Sequence, residues 1–269
     1  MTKQKTFDEL TFTDDFMFCK TMQNNEDLCR ELLELILGKK IKQITYPEKQ
    51  KTIEITSDGK GIRLDIYVED ENETIYDVEM QAIESKNLPK RSRYYQGMID
   101  LNLIERGADY QELKKSYVIF ICLNDYFGMG LHKYSFSSLC NEMPELQLKD
   151  EAEKIFLCAG GTAEDVSSDM KAFLDYLTKK EATDEFTKRL DHAVVQVREH
   201  EEWRLEYMTL YMRDRENREI GREEGREEKQ RELIRKALEK GKSCQEVASL
   251  FDIAEEEVED IKKSMLVNA

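Results

Sequence analysis

Three carboxylates and an amide, Asp65, Asp77, Glu79 and Gln81, fall within residues 63–81 at a spacing that suits metal chemistry. The stretch reads as two strands joined by a polar turn. Leu64, Ile66 and Val68 alternate with Arg63, Asp65 and Tyr67, and Tyr76, Val78 and Met80 alternate with Asp77, Glu79 and Gln81. Glu69 to Thr74 carry no strand pattern and supply the turn. A surface strand usually sets Lys and Thr opposite the core, whereas these strands set acids there. Pairing them as a hairpin crowds the acids, and like charges so close are costly unless protonated or bridged by a cation. Oxygen ligands from two carboxylates, completed by waters and a phosphate oxygen, suit Mg²⁺ or Mn²⁺. Such an ion polarises a phosphate and lowers the pKa of a bound water.

The elements on either side must hold those groups in place. Thr13 or Asp14 can cap a short helix that carries Phe16, Met17 and Cys19 inward. A second helix is expected from about Asn25 to Leu37, with Leu28, Leu32, Leu35 and Ile36 as its apolar stripe and Gly38 as its stop. Glu31 and Glu34 lie on it, and a solvated face is their ordinary reading. Lys51 to Thr56 alternate like a strand, and residues 57–61 are a turn by composition. After the acidic strands comes the most basic stretch of the first half, residues 85–93. Pro89 opens a helix there that runs to near Gly107. Lys90, Arg91 and Arg93 fall in its first turns, where positive charge opposes the helix dipole. They form either a solvated strip or a set of phosphate contacts beside the acids. Ser116 to Leu123 is a continuous apolar run, expected as a strand buried on both faces, and Lys154 to Cys158 as a further strand.

Composition narrows the classes. With 41 basic and 57 acidic residues the net charge is −16, which argues against a passive nucleic-acid coat but leaves room for a nuclease with a local basic strip. Six cysteines show no C-x-x-C spacing and sit mostly among apolar residues, the pattern of buried free thiols in a reducing cytoplasm. Three scattered histidines form no zinc cluster. No hydrophobic signal core opens the chain, and its longest apolar run is far too short to span a membrane.

The C-terminal third reads as helical. Helices are expected over residues 169–178 and roughly 183–212. Residues 213–231 shift to Arg, Glu and Gly, with Gly-Arg-Glu-Glu twice in tandem, and read as a solvated helical linker without a coiled-coil seam. A module at 232–269 follows, with a Ser243–Glu246 capping box and a helix-turn-helix layout. Its last helix opens on Glu255, Glu256 and Glu257, which repel phosphate and favour protein docking or packing over DNA reading. Its apolar stripe is small for an independent core, so association with a second copy is the expectation.

Over a wider span the sequence resembles the PD-(D/E)XK nuclease superfamily, and within it the Rpn (recombination-promoting nuclease) transposase branch. The segments that carry the resemblance are residues 13–18 (TDDFMF), 63–65 (RLD), 78–81 (VEMQ), 91–96 (RSRYYQ) and 117–122 (YVIFIC), in that order, together with the Arg-Glu-Gly-rich tail. The resemblance implies an α/β fold: a restriction-endonuclease-like central mixed sheet flanked by helices, followed by a helical C-terminal region. It implies a nuclease core over residues 1–165, a helical extension over 166–212, the linker over 213–231 and the terminal module. It also implies a Mg²⁺- or Mn²⁺-dependent DNA endonuclease with Asp65 and Glu79 as metal ligands. Gln81 stands where most of the superfamily carries lysine, and Lys90, Arg91 or Arg93 is the candidate source of the missing positive charge. Either Glu31 or Glu34 matches the helix acid some members add, Asp77 is a further candidate, and Asp15 fits an N-terminal motif without an assigned role. A catalytically inactive, self-associating regulatory protein of the same fold is the alternative.

Overall fold

The computed structural model describes residues 5–46, 52–53, 62–83, 86–105 and 107–267. The chain divides into two compact units, residues 1–204 and 205–269.

The first unit is built on a six-stranded sheet in the order β1-β4-β5-β6-β8-β7. Its strands are β1 (Ile44–Thr45), β4 (Ile66–Asp70), β5 (Ile75–Gln81), β6 (Ser116–Cys122), β7 (Lys133–Phe136) and β8 (Ala152–Cys158). The β5–β6 and β6–β8 pairs are parallel and the others antiparallel, so the sheet is mixed. β2 (Thr52–Ile53) and β3 (Ile62–Arg63) form a separate two-stranded sheet. β6 is buried along its whole length, as its unbroken apolar run requires.

Helices cover the sheet. α1 (Asp15–Gln23) packs against β4 and β5, and α2 (Glu26–Leu37) ends at Gly38 with φ +68°, the left-handed stop expected there. α2 buries Leu28, Leu32, Leu33 and Ile36, each worth about 1.5–3 kcal/mol. α3 (Leu88–Leu103) packs on the face that carries Tyr67, Ile75, Val118 and Phe120, burying Tyr95, Met98 and Ile99. α4 (Ser168–Lys179) and α5 (Glu185–Glu199) complete the unit against α1 and α2.

Several boundaries differ from the sequence reading. The expected strand over 62–69 is broken at Leu64–Asp65: β3 pairs with β2, and β4 starts only at Ile66. α3 ends at Leu103, short of Gly107. The expected helix over 183–212 breaks at His200, whose ψ of 107° takes it out of the helix and whose ring stacks on Trp203. α6 (Glu201–Glu239) then runs unbroken through the expected linker and into the terminal module. Gly221 and Gly225 both lie inside it with open space around them, so each lowers helix propensity without breaking the helix. Of the predicted strand at Lys51 to Thr56, only Thr52–Ile53 falls within the described residues; the predicted turn at 57–61 lies outside them apart from its flank at β3.

The second unit pairs the end of α6 with α7 (Cys244–Phe251) and α8 (Glu255–Val267). Ser243 and Glu246 form the predicted capping box. Ile234, Val247, Ala248 and Val258 are buried at its centre, a small core of its own. Among the described residues no helix is long and apolar enough to cross a membrane.

Candidate active site

The break before β4 shapes the site. The β4–β5 ladder runs to Ile66 opposite Val78 and there stops being backbone to backbone. In the next register the Asp65 N–H donates to Glu79 Oε1 at 3.0 Å, and the Met80 N–H donates to Asp65 Oδ2 at 3.1 Å. Carboxylates, not carbonyls, accept from these two N–H groups; in a continuous ladder the Met80 N–H would have met the Leu64 carbonyl and the Asp65 N–H would have faced away from β5. These bonds fix both side chains to the backbone of the opposite strand. The Gln23 side chain of α1 donates to the Asp65 carbonyl at 3.3 Å, which ties the same corner to the first helix.

α1 brings a third acid. One donor atom each from Asp15, Cys19 and Asp65 lies within 4.8 Å of the other two. Asp15 and Cys19 are one helical turn apart and so share a face of α1. Arg63 approaches Asp15 Oδ2 at 3.7 Å.

α3 brings the positive charge. Arg91 donates to Glu79 Oε2 at 2.6 Å, to Gln81 Oε1 at 2.9 Å and to Tyr95 Oη at 2.9 Å. Its guanidinium also lies 4.9 Å from the Tyr95 ring centre and 5.3 Å from that of Phe120. The Gln81 amide is held at both ends, its nitrogen donating to the Ile83 carbonyl. Of the two roles expected for Lys90, Arg91 and Arg93, phosphate contact or a positive charge beside the acids, Arg91 is placed for the second. Lys90 and Arg93 on the same turns are exposed and form no ion pair among the described residues.

Asp77 is the most deeply placed acid. It is fully buried, and neither carboxylate oxygen has a hydrogen-bond donor among the described residues. It lies two residues before Glu79 on the same face of β5. Burial, then the neighbouring Glu79 and Asp65, hold it well above the ordinary carboxylate range. Burial, Glu79 and Asp15 likewise push Asp65 up to about 9. Burial also raises Glu79, against the Asp65 N–H and Arg91, which favour its ionised form. These acids resist joint ionisation by themselves, which is the electrostatic condition a divalent cation relieves. The orphaned oxygens of Asp77 and the convergent donors of Asp15, Cys19 and Asp65 fit such an ion.

Glu31 and Glu34 are placed elsewhere. Glu31 pairs with Arg189 of α5. Glu34 accepts from Lys40 at 2.9 Å, from the Ile41 N–H at 2.9 Å and from Arg30 at 3.2 Å. Burial opposes its ionisation, but these donors outweigh it and hold Glu34 below its ordinary value. Both line a cavity of about 440 Å³ that includes none of Asp15, Asp65, Glu79 or Arg91. The helix acid at the strand pair is therefore Asp15 of α1, because α2 turns its acids toward α5 and its own C-terminal loop. Sequence reasoning also missed Cys19, read only as a core residue. The i, i+4 spacing from Asp15 was the available signal.

A mixed sheet whose central antiparallel pair presents Asp and Glu-x-Gln between two helices defines a nuclease-type α/β core of the PD-(D/E)XK class. A profile described as the PD-(D/E)XK nuclease family transposase matches residues 13–236, and the chain belongs to that family. No curated protein and no solved structure matches it significantly.

Proposed function

We propose that this protein is a divalent-metal-dependent DNA endonuclease acting in the cytoplasm, in recombination, mobile-element transfer or defence. The observation that carries the reading is the interlocked pair of Asp65 and Glu79, each bound to the other's strand, with Asp15 converging from α1 and Arg91 from α3. Asp65, Asp15 and Glu79 are the residues that would hold a Mg²⁺ or Mn²⁺ ion. Such an ion would supply Lewis-acid polarisation of the scissile phosphate and a more acidic water. Glu79 is oriented by the Asp65 N–H and by Arg91. Gln81, clamped between Arg91 and Ile83, cannot carry the charge that lysine carries in most of the superfamily; Arg91 supplies a positive charge beside it. Lys90 and Arg93 face solvent next to the site and contact backbone phosphates of the DNA. Buried free Cys19, Cys29, Cys122 and Cys158 suit a reducing compartment.

Self-association belongs to the same proposal. On α6, Leu205, Met208 and Met212 are exposed at i, i+3 and i+7, a short apolar seam suited to a second copy.

Plasmid nicking tests the activity. The wild-type chain cuts with Mg²⁺ or Mn²⁺ and not with EDTA, and Asp65→Ala and Glu79→Ala lose cutting while circular dichroism stays unchanged. Cutting by both variants at the wild-type rate refutes the site, whereas a wild-type chain that cuts with neither Mg²⁺ nor Mn²⁺ makes the inactive regulatory protein the better account.

A further inference from the structure

Cys19 has no role in the reaction as described, yet its surroundings are those of a ligand. Its Sγ lies 3.8 Å from Asp15 Oδ1, and the two share with Asp65 a cluster of donor atoms all within 4.8 Å of one another. Ligands about 2.1–2.3 Å from one ion stand roughly 3–4.5 Å apart, so a single ion reaches all three without rearrangement of the backbone. Cys19 is 2% exposed and Asp65 8%, while Asp15 is exposed, so two of the donors are shielded and the third opens the cluster to solvent. The oxygens of fully buried Asp77, unpartnered among the described residues and two residues from Glu79 on the same face of β5, leave the acids of this strand pair short of positive charge.

We propose that Cys19 is a metal ligand together with Asp15 and Asp65, which makes this a mixed oxygen–sulfur site that binds Zn²⁺-class ions far more tightly than Mg²⁺. The inference rests on the metal-dependent reading of the same site. Its physical basis is ligand softness. A thiolate adds little to the binding of a hard ion that prefers oxygen and water, and much to the binding of a borderline or soft one. The thiol proton leaves to solvent as the ion binds. Zn²⁺ therefore competes with Mg²⁺ for the site, and the zinc level governs how much of the protein is free to take up Mg²⁺.

The test uses the full-length protein with Cd²⁺ as a spectroscopic probe, and Zn²⁺ and Mg²⁺ in equilibrium dialysis. Wild-type protein shows a thiolate-to-cadmium charge-transfer band in the ultraviolet, and the difference spectrum against Cys19→Ser isolates the part due to Cys19 from the other cysteines. That part is also lost in Asp65→Asn, because the two residues share one ion. Zn²⁺ binding at the Asp65-dependent site weakens about tenfold or more in Cys19→Ser, while Mg²⁺ binding changes little. Cys19→Ala, which cannot ligate, behaves the same way, and circular dichroism checks that both variants fold. Unchanged Zn²⁺ binding in Cys19→Ser, with Asp65→Asn still abolishing it, overturns the role of Cys19 and leaves the metal-dependent nuclease intact. If Asp65→Asn alters the binding of no metal, the nuclease site itself fails and the role of Cys19 fails with it.

Discussion

Arg91 is the residue whose removal tells most about how the site is held. Glu79 is 1% exposed and Arg91 35%, with 2.6 Å between them, so the pair is buried on one side only. Removing one member of a fully buried pair costs about 3–5 kcal/mol because the other charge is stranded. Glu79 can escape by taking a proton, and lifting a carboxyl from about 4.3 to above neutrality costs at most about 4 kcal/mol at pH 7. Solvent screening of the exposed half of Arg91 lowers the loss further, to about 2–3 kcal/mol. The hydrogen bonds to Gln81 and Tyr95, each worth about 0.5–1.5 kcal/mol, add to it. Arg91→Met should therefore destabilise the first unit by about 3–6 kcal/mol at pH 7 in the absence of metal. In a Glu79→Gln background only the second part remains, about 1–3 kcal/mol, which leaves a coupling of about 2–3 kcal/mol. Urea unfolding followed by Trp203, the single tryptophan, reports on this unit, where its ring stacks on His200 with centroids 3.9 Å apart. A cycle that closes with no coupling refutes the account of Arg91 as the counter-ion of Glu79.

Three further outcomes are expected. Lys90→Ala and Arg93→Ala each make DNA binding less salt-dependent, lowering the log–log slope by about one, the share of a single neutralised phosphate; an unchanged slope assigns them to ordinary surface. Asp70 accepts from the Asn72 and Thr74 N–H groups at 2.9 Å each and from the Tyr76 hydroxyl at 2.6 Å, and although burial opposes its ionisation these donors hold it below the ordinary range. Its contribution is therefore present above about pH 4, where the unfolded chain is also ionised, and is lost as pH falls through the folded value. Asp70→Asn should cost about 1–3 kcal/mol at pH 7 and much less at pH 3, measured by denaturant unfolding, and equal costs at both pH values would contradict this. Leu205→Glu with Met208→Glu should shift full-length protein toward monomer in sedimentation equilibrium, and an unchanged mass removes the α6 seam from the interface.

The sheet was legible because its strands state their environment. Ser116–Cys122 has no polar side of consequence and lies in the middle of the sheet, and Ile75–Gln81 keeps its predicted alternation and its predicted limits. The break at Asp65 was not legible, because it arises from long-range contacts: the Asp65 carboxylate takes the Met80 N–H that a continuous ladder would have given to a carbonyl, and Glu79 takes the Asp65 N–H. Alternation in residues 62–69 is the same whether the ladder is closed by carbonyls or by carboxylates. The length of α6 was hidden for a different reason. Two glycines and a dense charge pattern lower local propensity, yet each cost is small beside the cooperativity of a 39-residue helix.

The acids themselves were found from type and spacing; for their partners the sequence offered candidates without choosing among them. Asp15 and Arg91 are both far from Asp65 in sequence, and Arg91 could not be told from Lys90 or Arg93, nor Asp15 from Glu31 or Glu34. What decides between α1 and α2 is packing: α2 spends its apolar stripe on the helical layer, which directs Glu31 to Arg189, while α1 lies against β4 and β5 and turns Asp15 and Cys19 to the strand break. The same reasoning explains how a site can hold glutamine where lysine is the usual residue. A positive charge beside the ligand carboxylate is supplied from the helix in place of the strand, and the bidentate reach of Arg91 to Glu79 and Gln81 keeps it there. Gln81 and Arg91 therefore act as one unit. A Gln81→Lys change that restores the strand lysine places a second cation against Arg91 and repels it, whereas Gln81→Lys with Arg91→Gln moves the charge back to the strand with the same total. On this reasoning the double variant recovers metal-dependent nicking that the single variant lacks, and a single variant as active as wild type would show that the two side chains are independent.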